Sequence, residues 1–189
     1  MRNEAKSDLN KCCAFTGHRP HKLPWKDNED DPRCIALKKI LTEQITALAE
    51  AGITDYFSGM ADGTDHCCAR IVLTLREKNP ALKLHCLLPH EGQENKWSDS
   101  ARKRYHSILK QADFVEYVSR DYYDGCMIAR NHCLVDSAGL LLAVYSGARR
   151  SGTGSTVNYA RKLGRNIIVI DPVTRQISYI AQDKKSERD

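Results

Sequence analysis

Short apolar runs alternate along this chain with longer segments in which apolar residues recur at helical spacing. Residues 12–15 form the first run and predict a strand. From Pro32, suited to the first turn of a helix, Ile35, Leu37, Ile40, Leu41, Ile45 and Leu48 keep that spacing to a stop near Gly52. The alternation continues with strands over 54–58, 84–88, 114–118, 139–145 and 166–170, and helices over 65–78, 94–111, 125–137 and 155–163. A last stretch, 175–180, fits a short edge strand. Strands that are apolar throughout and separated by helices predict an α/β fold. Its form is a doubly wound, mostly parallel, Rossmann-like sheet with helices on both faces. The pattern leaves 1–10 as a polar N-terminal segment, 11–182 as one domain and 183–189 as a polar tail. The longest irregular loop, 22–31, carries Trp25 and several acids and either folds over a site or packs on the surface.

In such a sheet, ligands bind beyond the carboxyl ends of the strands, where the winding reverses. Three glycine-bearing turns are expected on that edge. The first is Thr16-Gly17-His18-Arg19-Pro20, directly after strand one. Its glycine lets backbone N–H groups approach a phosphate, Thr16 can donate a hydroxyl, and Arg19 adds a charged fork. Pro20 is expected to keep the chain from running on into a helix. The second turn, Ser58 to Asp65, offers Gly59, Met60 and Gly63. There Asp62 or Asp65 either caps a helix or acts on a ribose hydroxyl or as a base. The third runs from Ser146 to Thr156. Its Gly152-Thr153-Gly154-Ser155-Thr156 portion is expected just before a helix, where free N–H groups and the positive helix end suit a phosphate. Arg130 and Asn131 fall near the start of the helix before strand five, on the turn facing the shared cleft.

Composition narrows the chemistry. The chain has 189 residues, 41% of them hydrophobic, which is ample for a core without disulfide staples. Its eight cysteines are read as reduced thiols. No C-x-x-C pair occurs and Cys126, His132 and Cys133 lack the paired spacing of a zinc site, so no metal is expected and any other cofactor stays unknown. No apolar run reaches the length of a membrane span and no signal-peptide core is seen, so no membrane association and a cytoplasmic location are expected. The net charge of +5 is modest and its basic residues are dispersed, which leaves nucleic-acid binding open.

The motifs T-G-H-R-P, S-G-M-A-x-G-x-D, P-x-x-G-Q-x-x-x-W, G-C-M-x-x-R-N and G-T-x-x-T follow one another over residues 11–172. In that order they resemble the YpsA-like branch of the SLOG superfamily. These Rossmann-like proteins are related to the LOG phosphoribohydrolases and to the DNA-processing protein DprA. The resemblance implies binding of a nucleotide or a nucleotide-derived metabolite, as a sensor or processing module. It adds Gln93 and Trp97, of the third motif, to the ligand-binding candidates. Trp97 could stack on a base or sit in the core. With them stand Thr16, Gly17, His18, Arg19, Gly59, Met60, Gly63, Asn131, Gly152, Thr153, Gly154 and Ser155.

The LOG signature, M-x-x-R-K followed by G-G-x-G-T-x-x-E, supplies an Arg and a Glu for cleaving base from ribose phosphate. Met127 and Arg130 match the first part, with Asn131 in place of the Lys, and the Glu position falls on Asn158. An amide cannot exchange a proton as a carboxylate does, which puts that reaction in doubt. If a reaction occurs, Arg130 and Asp65 are the catalytic candidates. Three readings result: a nucleotide-metabolite binder, a nucleotide hydrolase acting on an N-glycosidic or phosphate bond, and a DprA-like nucleic-acid-binding module. Pairing into a homo-oligomer is left open.

Overall fold

A computed structural model describes residues 8–148 and 150–181; Arg149, most of the N-terminal segment and the tail expected at 183–189 lie outside the described residues. The order of elements is β1 (Cys12–Gly17), α1 (Pro32–Glu50), β2 (Asp55–Ser58), α2 (Thr64–Arg76), β3 (Lys83–Leu88) and α3 (Asp99–Leu109). It continues with β4 (Phe114–Tyr117), α4 (Cys126–Asp136), β5 (Leu140–Val144), α5 (Gly152–Lys162), β6 (Asn166–Ile170) and β7 (Ile177–Ile180). The strands form one sheet in the order β4-β3-β2-β1-β5-β6-β7. Every pairing is parallel except the last, where β7 runs antiparallel to β6 at the edge. The protein therefore has the doubly wound, Rossmann-like α/β fold.

Both faces of the central strands are covered, which is why their sequences show no polar alternation. Cys13 and Phe15 point into one core with Leu142, Val144, Ile168 and Ile170, together with α1, α2 and α3. Their neighbours Cys12 and Ala14 point into the other, with Leu141, Ala143 and Ile167, against α4 and α5. No helix among the described residues is long and apolar enough to cross a membrane.

Three boundaries differ from the sequence expectation for local reasons. Pro20 does not merely delay a helix but opens a short 3-10 turn, Pro20–Lys22. α3 starts at Asp99 rather than near 94, because Ser98 Oγ caps it by accepting from Ala101 N–H at 3.3 Å. α5 starts at Gly152 rather than near 155, because Ser151 Oγ accepts from Gly154 N–H at 3.0 Å. The Gly152–Thr156 stretch is therefore the first turn of the helix and not a loop before it. β4 also departs from expectation, since all four of its residues are exposed at the sheet edge. In the 22–31 loop, Leu23 and Trp25 are buried in the core that contains α1, so the loop packs as a strap over that helix.

Candidate functional site

β1 and β5 are adjacent and parallel, yet the chain leaves β1 toward α1 on one face and β5 toward α5 on the other. The crevice between their ends holds a cavity of about 320 Å3. Thr16 and Gly17 line it from β1, and His18, Arg19, His21 and Lys22 from the turn beyond. Ala61 and Asp65 close one side, Gly152 and Thr153 another. From α4 come Met127, Arg130, Asn131 and Leu134, spaced so that they share one helix face.

Two glycines make this assembly close enough to work. A Cβ on Gly17 would fall onto the Thr64 side chain, whose Oγ1 donates to the His18 carbonyl at 3.1 Å and pins α2 against β1. A Cβ on Gly59 would fall onto the Arg130 guanidinium, whose Nη1 donates to the Gly59 carbonyl. Gln93 secures the same turn from behind, donating to the Gly59 and Met60 carbonyls at 3.4 and 3.3 Å.

The electrostatics are unusual for so small a volume. Arg130 and Asp65 are each 4% exposed, with Arg130 Nη1 3.9 Å from Asp65 Oδ2. Burial pushes the Asp65 carboxyl up, against the opposing pull of Arg130 and of the Ala61 N–H, which donates to it at 3.2 Å. Burial likewise lowers the guanidinium, against the pull of Asp65. His18 is 3% exposed, and its Nε2 accepts from the Ser146 N–H at 3.2 Å, with Ser146 Oγ at 3.0 Å. In the neutral ring the proton therefore sits on Nδ1. Two buried donors on cavity-lining residues, His18 Nδ1 and Arg130 Nε, have no hydrogen-bond partner among the described residues.

Burial, aided by Lys22, lowers the His18 pKa from its ordinary value of 6.5, against Asp171. Above 6.5 the ring is neutral in both the folded and unfolded chain and contributes nothing to pH dependence. As pH falls below that value the unfolded chain takes the proton first, so stability is lost down through the lowered folded value. His18→Gln keeps a side-chain acceptor for Ser146 and removes the titration. Urea melts between pH 7 and pH 5 are expected to show a smaller loss in this variant than in the parent. Parallel pH profiles would mean that His18 titrates as in the unfolded chain.

The cavity gathers nine of the residues singled out from the sequence: Thr16, Gly17, His18, Arg19, Asp65, Arg130, Asn131, Gly152 and Thr153. Seven others do not line it. Gly59, Met60 and Gln93 are buried behind it. Gly63 precedes α2 and faces a different cavity. Trp97 packs on the core, edge-on to His66 and Tyr105, rather than presenting a face to a base. Gly154 is turned inward against Tyr145, and Ser155 is exposed. Asn158 is exposed and lies on the second turn of α5, so the LOG-like Glu position is not at this cavity. Lys22 and Met127 were not singled out as site residues. The one-face spacing of α4 could have found Met127; for Lys22 only its nearness to the first turn pointed there.

The family model of the YspA SLOG family (YpsA) matches residues 13–173. The UPF0398 protein BH1768 of Halalkalibacterium halodurans is 29% identical over 180 residues, which cover 92% of this chain and 93% of that protein. Among solved structures, DNA processing protein A of Streptococcus pneumoniae is similar at a TM-score of 0.57 and 18% identity, over 87% of this chain and 52% of that one. DNA processing protein A of Helicobacter pylori, described for its single-stranded DNA binding mode, gives 0.57 and 19%, over 85% of this chain and 65% of that one. This chain thus spans 52% and 65% of the lengths of those two proteins, and the likeness to them is one of fold. With the family model matched from residue 13 to residue 173, the chain belongs to the YspA SLOG family.

Proposed function

We propose that the protein binds a phosphate-bearing nucleotide or nucleotide-derived metabolite in the cavity between the ends of β1 and β5. The observation that carries this reading is the pair of buried donors, His18 Nδ1 and Arg130 Nε, on its lining that find no acceptor among the described residues. Buried donors in a native protein have acceptors, and an oxygen-rich ligand would supply them. The charge balance agrees, because Arg19, Lys22 and Arg130 face a single carboxylate, Asp65. The first turn of α5 adds the N–H groups of Gly152 and Thr153, which precede the first intrahelical bonds and lie at the positive end of the helix.

Thermal shift across a panel of nucleotides and free bases tests this. A ligand at a hundred times its dissociation constant adds about 2.7 kcal/mol, which for a chain of this size raises Tm by roughly 5–10 °C. Phosphate-bearing nucleotides are expected to give that shift and free bases none. Arg19 is exposed, so Arg19→Ala is expected to weaken binding about tenfold without unfolding the protein. Equal shifts from bases and nucleotides, or an unchanged Arg19→Ala variant, would contradict the reading.

A second reading rests on Asp65. A buried carboxyl pushed upward by burial, beside a cation and on the cavity lining, suits a general acid or base for cleaving base from ribose phosphate. Free base released from nucleoside monophosphates, and abolished by Asp65→Asn, would put this reading first. A DNA-processing role by analogy with the structural neighbours would instead show affinity for single strands falling steeply with salt.

A further inference from the structure

A second cavity, of about 340 Å3, lies between α1 and α2 beneath the 20–31 segment. It is separated from the first by the 18–22 turn and by 61–66, the turn before α2 with the first residues of that helix. Ala61 and Asp65 face the first cavity, while Gly63 and His66 face the second. Its body is apolar, formed by Leu23, Leu37, Leu41, Ile71 and Leu75, with Trp25 in the roof. Its rim is different in kind. Cations from three helices converge there on Glu29, with Lys38 at 2.7 Å, Arg104 at 3.5 Å and Arg70 at 3.9 Å, and Arg104 is shared with Asp62 at 3.5 Å. His66, 3% exposed and on the same lining, has an Nε2 without a hydrogen-bond partner among the described residues.

Glu29 comes from the irregular strap and not from a helix, and its side chain is 44% exposed. Ion pairs that exposed are individually weak, so the carboxylate is an exchangeable occupant of its three-cation site. The apolar body and the cationic rim adjoin each other. That shape and charge complement a molecule with an apolar tail and an anionic head, and the volume lies at the lower end of small-molecule sites.

We infer that this second cavity binds a small amphipathic organic anion. The tail lies between α1 and α2, and the carboxylate or phosphate head replaces Glu29 among Lys38, Arg70 and Arg104. The inference does not rest on nucleotide binding in the first cavity, and its probes carry no base or sugar.

Isothermal titration of the full chain with decanoate, decyl phosphate, decanol and decylamine, all below their aggregation concentrations, tests it. Decanoate and decyl phosphate are expected to bind one to one, and the stronger of the two identifies the head group. Decanol is expected to bind at least about tenfold more weakly, and decylamine not measurably. Glu29→Gln removes the internal competitor and is expected to tighten decanoate binding about two- to fivefold. Arg70→Glu, at an exposed position, is expected to abolish it while leaving Tm unchanged, and Arg19→Ala in the other cavity to leave it intact. Equal affinity for decanol and decanoate, no tightening in Glu29→Gln, or loss of binding in Arg19→Ala would each overturn the inference.

Discussion

Arg130→Ala is expected to lower the melting temperature of the ligand-free protein by roughly 6–20 °C near neutral pH. Arg130 is the only cation within 4 Å of the Asp65 carboxylate among the described residues, and both groups are 4% exposed. Removing one partner of a buried pair leaves the other uncompensated, at about 3–5 kcal/mol, and a chain of this size loses about 2–4 °C per kcal/mol. The defect has a pH signature. Burial already holds the folded Asp65 pKa above its ordinary 3.8, so the group favours folding below that value and loses this advantage as pH rises through the folded one. Without the guanidinium the folded pKa climbs further, and the variant is expected to recover stability on acidification relative to the parent. Gly59→Ala places a methyl group where the guanidinium lies and is expected to evict it, with a loss of similar size. Because both changes disrupt one contact, the double variant should fall short of the summed losses by at least about 1 kcal/mol. Strict additivity would mean that Gly59 and Arg130 do not share that contact.

Gly17→Ala is the second large expected effect, on a different contact. The added methyl group meets the Thr64 side chain at its Cβ as well as at its two branches, so no rotamer of Thr64 avoids it. The start of α2 has to move away from β1, and the Thr64 Oγ1 bond to the His18 carbonyl is lost with it. Overpacking of about 1–3 kcal/mol and a hydrogen bond of about 1 kcal/mol together predict a Tm lower by roughly 4–16 °C. Thr64→Gly in the same chain removes the obstruction, so the double variant is expected to melt above Gly17→Ala alone. A Gly17→Ala protein that melts with the parent would mean that this turn is looser than described.

How much of this was legible in the sequence depended on the range of the forces involved. The apolar runs located the five inner strands, because burial of both faces imposes a composition that can be read locally, and the edge strands β4 and β7 followed from β-prone residues alone. They did not reveal that β4 stands exposed at the edge, since Phe114, Val115 and Tyr117 would suit a core strand equally well. The turns after β1 and before α4 and α5 were legible because each joins a strand end to a helix start on a known edge. The correction at α5 turned on one residue, Ser151, whose hydroxyl starts the helix early and carries Asn158 round to the second turn. Gln93 and Trp97 stood among the candidates by resemblance alone. Three of their partners, the Gly59 and Met60 carbonyls and the His66 ring, are more than thirty residues away in sequence, and no local spacing encodes them. The second cavity was invisible for the same reason, apart from the Trp and acids of the strap that roofs it.

In the proposed function a nucleotide is held by its phosphate between the ends of β1 and β5. A crystal structure of the protein with whichever nucleotide shifts Tm most tests it directly. Phosphate oxygens are expected about 2.7–3.2 Å from the backbone N–H groups of Gly152 and Thr153, with His18 Nδ1 or Arg130 Nε acquiring a ligand acceptor. A nucleotide lodged instead between α1 and α2, or one whose phosphate points into solvent with both donors still unpaired, would contradict it.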